Sequence, residues 1–132
     1  MREFKFRAWD FERKEMFIPD EFVFDFNINS LYQIDRMAIE SVLMQYTGLK
    51  DKNNKEIYED DIIEGEWALF YAQPKVRGII KFDENTLSFI VKGIKGLYKN
   101  NLMPLFQFKN ISILGNTYEN SELLEKYNEK RR

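Results

Sequence analysis

The sequence predicts a mainly β fold, β-rich α+β in class, with N-terminal strands, then a small barrel or curled sheet, then a short C-terminal helix. Phenylalanine is unusually frequent, with 12 among 132 residues, and the aromatic fraction is 16%; flat rings pack well on a pleated surface. The segment 3–9, Glu-Phe-Lys-Phe-Arg-Ala-Trp, alternates apolar and polar residues strictly, which is the period of a half-buried strand. From residue 67 onward, short apolar runs recur between tight polar turns, a spacing that favours a barrel or curled sheet over a doubly wound fold.

In the first segment Phe4, Phe6 and Ala8 fall on one face and Glu3, Lys5, Arg7 and Trp9 on the other. Asp10 to Lys14 is a polar turn, after which Met16, Phe17 and Ile18 resume the apolar pattern, so a hairpin is expected. Pro19 ends the pairing because it lacks an amide proton. Phe22, Phe24, Phe26 and Ile28 alternate as a second strand. Residues 30–40 are ambiguous: Leu31, Ile34 and Ala38 fit a helical face capped by Asn29 or Ser30. Val42 to Tyr46 fits a strand that stops at Thr47-Gly48, and residues 47–56 are turn-rich, with hairpin chemistry at Asn53-Asn54.

Ile57-Tyr58 and Ile62-Ile63 follow, split by Glu59-Asp60-Asp61, and residues 67–71 are apolar and aromatic. Val76 to Phe82 places Val76, Gly78, Ile80 and Phe82 on one side; Thr86 to Lys92 alternates through Leu87, Phe89 and Val91; Asp83-Glu84-Asn85 connects them. Residues 93–101 form a basic loop, Pro104 leads a strand from Leu105 to Phe108, and residues 111–114 close the sheet. At the end, Asn120 or Ser121 can cap a helix in which Leu123, Leu124 and Tyr127 share a face, and Lys130-Arg131-Arg132 suit the negative end of its dipole. Residues 1–132 read as one domain, with a possible subdivision into a strand-rich part, 1–55, and a barrel plus helix, 56–132.

Composition removes several chemistries. The chain has no Cys and no His, which excludes disulfides, thiolate nucleophiles, histidine triads and imidazole general bases. Any catalysis would fall to Asp, Glu, Lys, Tyr, Ser or Thr. The first residues are charged and no apolar run approaches the ~20 residues that span a bilayer, so a cytoplasmic protein is expected. The net charge of −2 hides an asymmetry: residues 1–72 carry 9 Lys/Arg against 16 Asp/Glu, whereas residues 73–113 carry 7 against 2. The basic part could meet an anionic partner; the plainer reading, which we favour, is that the opposite blocks attract each other or are solvated.

Three stretches together resemble the phage and prophage YopX family. They are Lys5-Phe6-Arg7-Ala8-Trp9-Asp10; Met44-Gln45-Tyr46-Thr47-Gly48-Leu49-Lys50-Asp51-Lys52-Asn53 running into Glu56-Ile57-Tyr58-Glu59 and Asp61-Ile62-Ile63; and Ile113-Leu114-Gly115-Asn116-Thr117-Tyr118-Glu119-Asn120. Two positions depart from the pattern, Asn54 where Asn-Gly is usual and Asp60 where Glu-Gly-Asp is usual; Asn and Asp are the non-glycine residues most tolerant of left-handed φ. The resemblance implies a phage setting, a mostly β fold with an SH3-like barrel portion, and self-association. It implies no catalytic residues, no cofactor and no established activity.

The candidate binding residues fall in three groups. Tyr46 and Thr47 beside Gly48, followed by Asp51, could hold a small polar ligand, although Thr47 and Asp51 equally suit closing a turn through side-chain to backbone bonds. Lys75, Arg77, Lys81, Lys92, Lys95 and Lys99, interleaved with Phe82, Phe89 and Tyr98, have the composition of a single-strand-binding barrel; Phe82 and Phe89 are expected in the core instead, and the acidic total disfavours a nucleic-acid partner. Trp9, on the charged face of its strand, is a candidate partner anchor, with core packing the competing role. If that strand is an edge, it could pair with another copy. The acidic run Glu56, Glu59, Asp60, Asp61, Glu64 and Glu66 could hold Mg²⁺ for a phosphoesterase, but turn chemistry explains it without a metal. The reading that results is a non-catalytic protein-interaction module that forms homo-oligomers with no membrane partner, with nucleic-acid binding as the alternative and metal-dependent hydrolysis the weakest.

Overall fold

The computed structural model describes residues 3–19, 23–25, 30–32, 41–69 and 71–124. The chain divides into two units, Met1–Gly48 and Leu49–Arg132. In the first, β1 (Phe6–Asp10) and β2 (Glu15–Phe17) form the expected antiparallel hairpin, with Ala8 opposite Phe17 and Trp9 opposite Met16. Asp10 fixes the turn: its side chain is buried and its Oδ1 accepts the backbone N–H groups of Glu12 at 2.9 Å and Arg13 at 3.0 Å. β3 (Val23–Asp25) pairs antiparallel with β4 (Ser30–Tyr32). Ser30 and Leu31 are therefore strand residues, not the cap and first turn of a helix; Asn29, Ile34 and Ala38 lie outside the described residues, as do Phe22, Phe26 and Ile28.

β5 (Ser41–Lys50) lies antiparallel beside β1, with Phe6 opposite Gln45 and Trp9 opposite Val42. β1 is thus an inner strand over Ala8–Asp10, where β2 and β5 flank it on both sides. β5 also runs beyond the expected stop at Thr47-Gly48. Gly48 takes φ 89°, a conformation open to glycine at no steric cost, so the strand accommodates it and continues.

The second unit begins with the last two residues of β5, the turn that follows and β6 (Glu56–Tyr58). It is built on a five-stranded antiparallel sheet, in the order β10-β9-β8-β7-β11, of β7 (Asp61–Trp67), β8 (Lys75–Asp83), β9 (Ser88–Gly93), β10 (Leu102–Pro104) and β11 (Phe108–Asn116). One face carries the core: Ile57, Ile63, Val76, Ile80, Val91, Met103, Leu105, Phe108 and Ile111 are buried together, with Trp67, Phe89, Tyr98 and Ile113 packed around them. Each large apolar side chain fully withdrawn from water contributes about 1.5–3 kcal/mol. Register explains the cluster, since Val91 sits between Ile80 on β8 and Met103 on β10. The sheet is curled, with register shifts in β11 between Lys109 and Ser112 and between Ile113 and Gly115, and such bulges sharpen strand twist.

Three details differ from the sequence reading. Pro104 ends β10 instead of leading a strand, and Leu105–Gln107 is a single 3₁₀ turn closed by the Phe108 N–H on the Leu105 carbonyl. A spacing of three puts Leu105 and Phe108 in the core and leaves Phe106 outside. Leu87 takes φ 52° in the β8–β9 turn and is exposed, so β9 begins at Ser88, two residues later than expected. Phe82 falls past the end of the core and is 40% exposed. Residues 122–124 are helical, and the rest of the expected helix lies outside the described residues. Among the described residues no helix is long and apolar enough to cross a membrane.

Gly93 marks the tightest approach in the sheet. The basic loop folds back on it, with the Gly93 N–H on the Asn101 carbonyl at 2.9 Å and the Asn100 N–H on the Gly93 carbonyl at 2.8 Å. A Cβ at this position would run into the Tyr98 carbonyl.

Candidate functional site

β7 and β8 bring two residues of the acidic run and two of the basic block onto one face. Their register sets Glu64 opposite Arg77 and Glu66 opposite Lys75. Arg77 donates from Nη2 to Glu64 Oε2 at 3.2 Å, and both side chains are about three-quarters buried. Lys81 Nζ reaches Asp60 Oδ1 at 2.8 Å, and Asp60 Oδ2 accepts the Tyr118 hydroxyl at 3.4 Å. Opposite charges facing each other across a strand pair are mutually favourable, and Arg77 and Lys81, two of the six candidate cations, are paired in this way or close to it.

The remaining basic candidates are Lys75, on the same strand pair opposite Glu66, and three lysines beyond β8. Lys75, Lys92 and Lys95 are exposed, and Lys99 is half-buried at the end of the 3₁₀ turn Gly96–Tyr98. The interleaved rings are occupied with one another. Tyr98 meets Trp67 edge-on at 5.5 Å, Phe82 meets Phe89 edge-on at 5.3 Å, and the Trp67 indole N–H donates to Gln107 Oε1 at 3.1 Å.

The acidic run is spread out in a similar way. Asp61, 2% exposed, accepts the Tyr58 N–H on Oδ2 at 2.8 Å. Glu56 accepts the Tyr58 hydroxyl at 3.2 Å and Glu66 accepts Asn110 Nδ2 at 3.0 Å. Among the described residues no three carboxylates converge as metal ligands would.

Trp9 and Tyr46 are buried in the first unit, 8% and 4% exposed. The Lys5 ammonium lies 5.6 Å from the centre of the Tyr46 ring, within cation–π range. Thr47 is half-buried on β5. Asp51, in the second unit, is buried and accepts three backbone N–H groups: Asn53 and Lys55 on Oδ1, both at 2.9 Å, and Ile113 on Oδ2 at 3.2 Å. Burial alone would raise its pKa; the backbone N–H groups of Lys55, Ile113 and Asn53, with the nearby Lys55 charge, outweigh burial and hold the carboxyl below its ordinary value.

Sequence reasoning did not single out Lys50, Lys52 or Lys109. They line a groove of about 260 Å³ between the turn after β5 and the start of β11. Lys50 and Lys52 flank Asp51 in the sequence, but their meeting with Lys109 needed the tertiary structure.

A family model described as YopX protein matches residues 5–125. The chain belongs to the YopX family. The structure is similar to the crystal structure of protein EF1440 from Enterococcus faecalis, at 29% identity and a TM-score of 0.60, over 94% of this chain and 99% of that one. No curated protein matches the chain.

Each stretch that carries the YopX resemblance is organised around a buried polar side chain that closes a turn. In the first this is Asp10. In the second it is Asp51, then Asp61. In the third it is Asn116, whose Oδ1 accepts the N–H groups of Tyr118 at 3.0 Å and Glu119 at 2.8 Å while its Nδ2 donates to Glu119 Oε1 at 2.8 Å. The two departures from the family pattern, Asn54 and Asp60, take φ 67° and 68°, the left-handed values a glycine would supply.

Proposed function

We propose that this YopX protein is a non-catalytic accessory protein of phage or prophage origin that acts through protein contacts in the bacterial cytoplasm and self-associates. The observation that carries this reading is what is left on the surface once the polar groups are accounted for. The buried polar side chains of the family motifs are engaged in turns, and Arg77 and Lys81 are paired with Glu64 and Asp60.

Large apolar side chains, by contrast, stand in solvent. Leu69 is 64% exposed, Phe106 77%, and Tyr71 fully. Leu69 and Phe106 belong to two segments joined by the Ala68 N–H on the Gln107 carbonyl at 2.9 Å, and Tyr71 lies in the loop closed by the Trp67 N–H on the Pro74 carbonyl at 2.9 Å, so all three extend from one end of the sheet. Exposed apolar groups gathered in this way are characteristic of protein contact surfaces.

Affinity capture of the tagged protein from phage-infected cells, with and without nuclease, tests the reading. Specific proteins retained after nuclease treatment support it. Captured material that is nucleic acid, or that disappears with nuclease, would make the exposed lysines the working surface and overturn it.

A further inference from the structure

β11 pairs with β7 on one edge only, and the segment Leu49–Lys52 runs along its other edge. Lys52 donates its backbone N–H to the Ile111 carbonyl at 2.8 Å, and Asp51 Oδ2 holds the Ile113 N–H at 3.2 Å. These two bonds fix both walls of the 260 Å³ groove. Phe108 and Ile111 line it as buried apolar residues, and Lys50, Lys52 and Lys109 line it as exposed cations.

The charges in the groove do not balance. None of the three lysines has an ion-pair partner among the described residues. Among the described residues Asp51 is the only carboxylate lining the groove, and its oxygens already accept three backbone N–H groups. The nearest acidic residue across the strand pair, Glu66, accepts from Asn110 instead. Asn110 sits at φ 52° where β11 shifts register, so the backbone of the groove wall is set by the bulge.

We propose that this groove binds a small multivalent oxyanion, of the phosphate or pyrophosphate class. Ammonium groups bind phosphoryl oxygens as point charges without a fixed fork geometry, and walls fixed by backbone bonds need little reordering on binding. A volume below the ~300 Å³ at which pockets for organic ligands begin suits a phosphoryl group better than a larger molecule. A nucleic-acid strand is disfavoured, because the ring that lines the groove, Phe108, is 8% exposed and offers no face for a base to stack on. The site is independent of the protein-contact reading above.

Backbone amide chemical shifts of the full chain, followed during titration with sodium pyrophosphate at low ionic strength, test the proposal. The expected result is saturable shifts at Lys50, Lys52, Lys109 and Asn110, with Lys92 and Lys95 unmoved. Lys50→Gln, Lys52→Gln and Lys109→Gln should each weaken binding about fivefold, the factor supplied by one water-screened charge pair at roughly 4 Å, with the fold unchanged by circular dichroism. Non-saturable shifts, equal shifts at Lys92 and Lys95, or a triple variant that binds as the parent does would overturn it. So would tighter binding of a single-stranded oligonucleotide than of pyrophosphate at the same lysines.

Discussion

Asp51→Ala should be among the most damaging single substitutions in the second unit. The wild-type carboxylate accepts N–H groups from Asn53, Lys55 and Ile113, and a hydrogen bond to a charged group contributes about 1.5–3 kcal/mol. The three do not add fully. Asn53 and Lys55 lie in an exposed turn, where water replaces the lost acceptor at little cost. The Ile113 N–H is part-buried on β11 and loses an acceptor that holds the turn against the sheet. We therefore expect a loss of about 2–4 kcal/mol, which is a large part of the 5–15 kcal/mol typical of a domain. Urea unfolding measures it directly: the midpoint should fall while the slope stays constant. Asp51→Asn retains one acceptor oxygen and should cost about half as much.

The same carboxyl sets a pH dependence. Its folded pKa lies below the ordinary value of 3.8, so its contribution is present above that value and is lost as pH falls from 3.8 through the depressed folded pKa. The stability gap between the parent and Asp51→Asn should therefore narrow on acidification through that window. A loss under about 1 kcal/mol for Asp51→Ala at pH 7, or a gap that does not change with acid, would refute the assignment of Asp51 as the pivot of the turn.

Further consequences can be checked in parallel. Gly93→Ala forces a Cβ into the Tyr98 carbonyl and should cost about 3 kcal/mol or more, read as a fall in melting temperature; a change within about 0.5 kcal/mol would mean that the basic loop does not close on Gly93. Lys81→Gln removes a half-exposed ion pair with Asp60 and should cost less than about 1 kcal/mol, a difference that shrinks at 1 M salt; a salt-independent loss would contradict a mainly electrostatic role. Leu69→Ser with Phe106→Ser should leave unfolding within about 1 kcal/mol of the parent, because both side chains are exposed, yet abolish the concentration-dependent mass increase expected of the parent in sedimentation velocity. Unchanged association in that variant would remove this surface from the account.

The local rules read most of the sheet from the sequence. Strict alternation located β1, the apolar run after the polar turn located β2, and β8 was legible in Val76, Gly78 and Ile80 because one face of that strand is core and the other is not. Two of the left-handed positions were visible as Asn54 and Asp60, whereas Leu87, also left-handed, was not. The rule failed where the period changed without a change in composition. Leu105 to Phe108 is as apolar as a strand, but its buried residues are three apart, and only the neighbouring strands decide between a strand and a 3₁₀ turn. Leu31 fits a helical face as well as a strand, and its pairing with Phe24 settles the matter.

The candidate site was legible only as a list of residue types. The pairing of Glu64 with Arg77 depends on the β7–β8 register and cannot be read from charge counts. Trp9 looked exposed because alternation put it on the charged face, but that end of β1 is buried on both faces: Ala8, Trp9 and Asp10 are all withdrawn from solvent. The lysines of the groove were missed because Lys109 is far along the chain from Lys50 and Lys52.

The most direct test of the central claim is capture from phage-infected cells by three forms of the chain after nuclease treatment: the parent, a variant with Leu69→Ser, Tyr71→Ser and Phe106→Ser, and one with Lys92→Gln, Lys95→Gln and Lys99→Gln. The parent and the lysine variant should retain the same proteins, and the apolar variant should lose them. Loss in the lysine variant with retention in the apolar one would contradict that claim and identify the basic loop as the working surface.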